Sequence, residues 1–77
     1  MYPFENGDRV EVELVSGKVG NVQKFKCTVV GLGTNHEIPF LGYGFIVKVD
    51  PGQDWEDITG FGSDYTISYS RYMTELL

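Results

Sequence analysis

Leu41-Gly-Tyr-Gly-Phe-Ile-Val-Lys-Val-Asp50 is the stretch that decides the fold class. Leu41, Tyr43, Phe45, Val47 and Val49 fall on one face, and Gly42, Gly44, Ile46, Lys48 and Asp50 on the other. One face is apolar and the second small or charged, with a period of two, which is the signature of a half-buried β-strand. The two glycines on the second face suit a bend or a bulge, which a sheet curling into a small barrel requires.

The same alternation recurs on either side. Asp8 to Leu14 reads as a first strand, with Val10, Val12 and Leu14 inward and Arg9, Glu11 and Glu13 in water. Lys24 to Val30 reads as a second, with Phe25, Cys27 and Val29 inward, and Gly31-Leu-Gly33 breaks it. Val15 to Gln23, with Ser16-Gly17 and Gly20-Asn21, reads as the loop between them. Tyr65 to Tyr69 reads as a fourth strand with Tyr65, Ile67 and Tyr69 on the core face. A 3₁₀ turn over Ser70 to Met73 and a last strand from Thr74 to Leu77 complete the chain. Tyr2 and Phe4 flank Pro3 and are placed over one end of the core, and Trp55 to Ile58 makes one helical turn with Asp54 as its N-cap.

These elements predict an all-β fold. Residues 1–77 form one domain, a single five-stranded, strongly bent antiparallel barrel. The predicted core is Val10, Val12, Leu14, Phe25, Cys27, Val29, Tyr43, Phe45, Val47, Ile67 and Leu76. A chain of 77 residues has a thin core, because a domain of this size buries only roughly 60% of its unfolded surface. The absence of Ala and the ten glycines turn the composition further from helix.

The closing segment, Ser70-Arg-Tyr-Met-Thr-Glu-Leu-Leu77, resembles the end of Src-homology-3-like barrels, where a serine and a tyrosine in a 3₁₀ turn lead into a Glu-Leu-bearing last strand. The opening, Gly7-Asp-Arg-Val-Glu-Val12, is similar to the first strand of Tudor and KOW-type small barrels. The resemblance implies a Src-homology-3-like architecture and puts Tyr72 at a position that lines the binding groove in that family. The amino-terminal aromatic motif, paired tryptophans and groove proline of the peptide-binding members are missing, so it does not imply recognition of proline-rich peptides.

Charge and cysteine content narrow the function classes. A net charge of −5 opposes non-specific binding to nucleic acid or anionic lipid. One cysteine, Cys27, cannot form an internal disulfide, and the start lacks the regions of a signal peptide, so a cytoplasmic location is expected. No apolar run approaches the ~18 residues of a membrane span. Cys27 and His36 are the only soft metal ligands where zinc needs about four, and Asp50, Asp54, Glu56 and Asp57 lack calcium-loop spacing; no metal or cofactor is expected. The three Gly-x-Gly pieces open no helix, and no Ser, His and carboxylate set has the spacing of a catalytic triad. A barrel this small also offers no deep pocket of the ~300 Å³ an enzyme uses. The expected function is therefore a non-enzymatic binding module, one that recognises a basic protein or peptide surface or serves as a small subunit or inhibitor in a larger assembly.

Two surfaces compete for that role. Residues 50–64 carry Asp50, Asp54, Glu56, Asp57 and Asp64 without a basic residue. Asp54, Trp55, Glu56 and Asp57, together with Phe61 and Tyr72, therefore form the candidate site for a basic peptide or protein surface, drawn by charge and held by aromatic rings. Trp55, set among acids, reads either as a partly exposed ring of this surface or as a plug folded back on an open end of the barrel. The alternative is a nucleic-acid face made by Lys18, Lys24 and Lys26, half of the basic residues. Exposed edges and surplus aromatics make self-association into a two-fold dimer a further reading.

Overall fold

The structure, a computed structural model, describes residues 2–15 and 22–76; the expected turn over residues 16–21, with Lys18, and the last position of the final strand lie outside them. The alternating stretches form β1 (Arg9–Val15), β2 (Val22–Leu32) and β3 (Gly44–Val49). A short helix α1 (Trp55–Thr59) follows, then β4 (Thr66–Tyr69), a 3₁₀ turn (Ser70–Tyr72) and β5 (Met73–Glu75). The strands make one antiparallel sheet in the order β4-β3-β2-β1-β5, so β4 and β5 are its edges. In the middle of the sheet inward residues meet inward residues: Val10 opposes Cys27, Val12 opposes Phe25, and Cys27 opposes Val49. Between Val29 and Gly31 the register shifts, which places the bulge where the glycine pattern interrupts the strand.

The buried apolar set is Val10, Val12, Phe25, Cys27, Val29, Phe45, Val47, Val49, Trp55 and Met73, with Phe4, Leu14, Tyr43 and Ile58 partly buried against it. Two core expectations are corrected. Ile67 was assigned to the core and is 53% exposed, while Ser68 is buried. The reason is register: Ser68 opposes Phe45 and Ile67 opposes Ile46, and residues opposite each other in an antiparallel ladder share a face. Leu76 is only partly buried, because Met73 already starts β5 opposite Val12 and takes the core position. Of the two readings of Trp55, a ring at the surface or a plug folded back on the core, the structure has the plug, 5% exposed.

That register is pinned by a glycine. Gly42 has φ of 81°, and a Cβ there would stand 2.1 Å from Ser70 Oγ. The close approach lets Ser70 Oγ accept the Tyr43 amide at 3.0 Å while the Ser70 amide donates to the Tyr43 carbonyl at 2.8 Å. Two residues on, Gly44 is buried rather than outward and open, because Thr34 and Tyr69 lie against it and Thr34 Oγ1 accepts its amide at 2.7 Å.

Off-sheet segments cover both ends of the inner face. Phe4 meets Phe45 edge-on at 5.5 Å and Tyr2 meets Tyr43 at 4.9 Å, as the sequence predicts for the lead-in. At the other end Trp55 meets Phe25 edge-on at 5.1 Å. Trp55→Ala should cost ~3–5 kcal/mol in urea unfolding, whereas Ile67→Ala, at the outward position of β4, should stay within ~0.5 kcal/mol. Comparable losses from the two substitutions would show that Ile67 faces the core after all.

Candidate functional site

The 50–65 segment is anchored from within. Where β3 ends at Val49, the side chain of Gln53 stands in for a strand residue: Lys26 N donates to its Oε1 at 2.8 Å and its Nε2 donates to the Lys26 carbonyl at 2.9 Å. This brings α1 back over β2, and the Trp55 ring goes inward, its Nε1 donating to the Gly62 carbonyl at 3.3 Å. Asp54 stands at the N-cap position but makes no side-chain capping bond, so its expected capping bond is absent. Glu56 and Asp57 are exposed in the first turn, and Phe61 is exposed beyond the helix.

Tyr72 does not share this strand end. The acidic loop leaves β3 after Val49, whereas the 3₁₀ turn bearing Tyr72 is bonded to Tyr43 and Leu41, before the opposite end of β3. No hydrogen bond, ion pair or ring contact among the described residues joins Tyr72 to Asp54, Glu56 or Phe61. With Trp55 in the core, Phe61 is the aromatic that remains exposed beside the acidic loop.

Lys24 and Lys26 do share the outer face, but β1 lays Glu13 opposite Lys24 and Glu11 opposite Lys26. Lys24 Nζ also lies 3.9 Å from Glu11 Oε1. The lysine stripe is thereby matched by a carboxylate stripe, and a phosphate backbone would meet both.

Tyr72 belongs instead to an arrangement that the sequence reading passed over. Leu41 N donates to the Ile38 carbonyl at 3.1 Å, closing a turn with Pro39 and Phe40 at its centre. Phe40 has φ of 70° and is 86% exposed. Proline followed by positive φ defines a type II turn, whose third position normally takes Gly or Asn. Arg71 braces it: Nη1 donates to the Phe40 carbonyl at 3.0 Å, and the guanidinium lies 5.9 Å from the Tyr72 ring centre. One cation therefore ties the carbonyl of an exposed Phe to a second ring that is 41% exposed. The signal in the sequence was Pro39 followed by a residue other than Gly, with Gly42 just behind it.

Tyr2, Phe4, Glu5, Asn6, Leu32 and Phe45 line an open groove of about 500 Å³, joined to Tyr43 through the Tyr2 ring. The groove is open to solvent, a surface concavity and not a deep pocket, with Phe4 seated on Phe45 at its floor. Among the described residues no three His, Cys, Asp or Glu side chains gather as a metal site would need, and no helix is long and apolar enough to cross a membrane. Burial, reinforced by the negative charge of Asp50, pushes the Cys27 thiol up to about 12 and leaves it without a nucleophilic thiolate at neutral pH.

On the outer face, Arg9 Nη1 donates to Thr28 Oγ1 at 2.6 Å and to Asp50 Oδ1 at 2.7 Å, and Nη2 donates to Asp50 Oδ2 at 2.5 Å. The bidentate bond from Arg9 holds the Asp50 carboxyl below its ordinary value, and the same bond raises the Arg9 guanidinium. A carboxyl lowered in the folded state stabilises the fold fully above its unfolded value of about 3.9 and loses that contribution as pH falls through the folded value. The melting-temperature gap between wild type and Asp50→Asn should thus be widest near neutrality and shrink below about pH 4. A gap that stays constant into strong acid would mean that the ion pair is not formed in solution. In comparisons with protein-family models, curated proteins and solved structures, nothing matches this chain.

Proposed function

We propose that this chain is a non-enzymatic protein-binding module whose contact surface is the Phe40 turn with Arg71 and Tyr72, flanked by the groove at Tyr2 and Leu32. The observation that carries the reading is Phe40 itself. A ring 86% exposed gains nothing from burial, and a left-handed backbone costs a non-glycine residue roughly 1–2 kcal/mol. Four neighbours hold it there: Pro39 before it, the Ile38–Gly42 bridge around it, and Arg71 on its carbonyl. Strain kept at a braced and exposed aromatic is the pattern of a preorganised contact. The groove adds a concave seat for a partner's side chain, with aromatic walls at Tyr2 and Phe4 and polar groups at Glu5 and Asn6. Net charge of −5 favours encounter with a basic protein or peptide.

The architecture proposed for this module is a bent, Src-homology-3-like barrel within one domain. Its support is the strand order, with edge strands β4 and β5 joined by the 3₁₀ turn, and a common core drawn from β1, β2, β3 and β5. A nucleic-acid role has less behind it, because Glu11 and Glu13 oppose Lys26 and Lys24.

Panning a displayed library of Lys- and Arg-rich peptides on the immobilised chain tests the site. Phe40→Asn should keep the wild-type melting temperature or raise stability by up to ~1 kcal/mol, since Asn tolerates positive φ. The same variant, and Tyr72→Ala, should lose the selected peptides. Selected peptides that bind both variants as they bind wild type would place the contact surface elsewhere.

A further inference from the structure

We infer that the chain pairs with a second copy of itself, edge to edge, through β4. The two edges of the sheet are not alike. β5 is three residues long and ends on Glu75, and short charged edges resist pairing. Among the described strands β4 alone carries no charged residue; Ile67 on its outer face is 53% exposed, and Tyr65 just before the strand is 74% exposed.

The backbone of β4 is ready for a partner. The Ser70 amide donates to Tyr43 across the β3 side, so by the alternation of an antiparallel ladder Ser68 and Thr66 also turn their peptide groups toward β3. Ile67 and Tyr69 turn theirs to the open edge.

What selects a second copy, and not a foreign strand, is the symmetry of the segment. Tyr65-Thr-Ile-Ser-Tyr69 reads the same in both directions by side-chain class: aromatic, hydroxyl, aliphatic, hydroxyl, aromatic. An antiparallel two-fold centred on Ile67 sets Ile67 against Ile67 of the second copy, Thr66 against Ser68, and Tyr65 against Tyr69. Opposite residues share a face, so the Ile67 pair extends the strip begun by Ile46. Charge agrees with that direction. Asp64 precedes the segment and Arg71 follows it, so antiparallel pairing brings unlike ends together and parallel pairing would bring like ends together. Apart from Arg71, this inference uses no residue of the Phe40 surface, which lies on the turn before β3.

Sedimentation equilibrium over a wide dilution series, with amide hydrogen exchange at both extremes, tests it. The wild-type mass should rise from 8.7 kDa toward twice that value with concentration. The Ile67 and Tyr69 amides should exchange fast when dilute and slowly when concentrated. Ile67→Lys, at a half-exposed outer position, should stay monomeric with unchanged melting. A wild-type chain monomeric at every concentration overturns the proposal, and so does a dimer whose Ile67 and Tyr69 amides exchange as fast as in the monomer. An Ile67→Lys chain that still dimerises also overturns it; should that variant fail to fold, the wild-type mass and exchange decide alone.

Discussion

The inner face of this sheet is too narrow to shut itself, and the structure depends on how its two ends are closed. At the Val49 end the closing group is Trp55, packed edge-on against Phe25 and tied through Nε1 to the Gly62 carbonyl. The ring reaches that place because the Gln53 carboxamide occupies both backbone groups of Lys26 and turns the chain back over the sheet. At the Gly44 end Phe4 and Tyr2 do the same work against Phe45 and Tyr43. In a domain that buries only roughly 60% of its unfolded surface, two such plugs are a large part of the apolar contact that holds β1, β2 and β3 together.

A second constraint follows the chain from Gly42 to Ser70. The side chain missing at Gly42 admits the Ser70 hydroxyl, and that contact sets β4 on β3 with Ser68 inward and Ile67 outward. The apolar groups left outside include Phe40 on its turn, Tyr72 behind Arg71, and Tyr65 and Ile67 at the open edge. The outward face of Ile67 follows from that packing at Gly42.

β1, β2 and β3 were legible because each alternates strictly, so Val10, Val12, Phe25, Cys27, Val29, Phe45 and Val47 could be placed inward from period alone. In Thr66-Ile-Ser-Tyr69 the same rule fails. The faces of an edge strand are decided by the register with its neighbour, and that register rests on Gly42 and Ser70, 28 positions apart in the chain. Trp55 stayed open between surface and core for a related reason. Its sequence neighbours Asp54, Glu56 and Asp57 are exposed, but its packing partner Phe25 lies thirty residues earlier. Of the candidate site, Tyr72 and Phe61 are exposed as read, whereas Phe40 was hidden because a phenylalanine at positive φ is a backbone property that composition does not carry.

The central claim is that Trp55 closes the core, and the chain holds one tryptophan with which to test it. Native fluorescence excited at the indole band, titrated with acrylamide, reports its surroundings directly. The account predicts blue-shifted emission with little quenching in the native state, and a red shift with strong quenching only on unfolding. Native emission already at the unfolded wavelength and freely quenched would put Trp55 in water and contradict it.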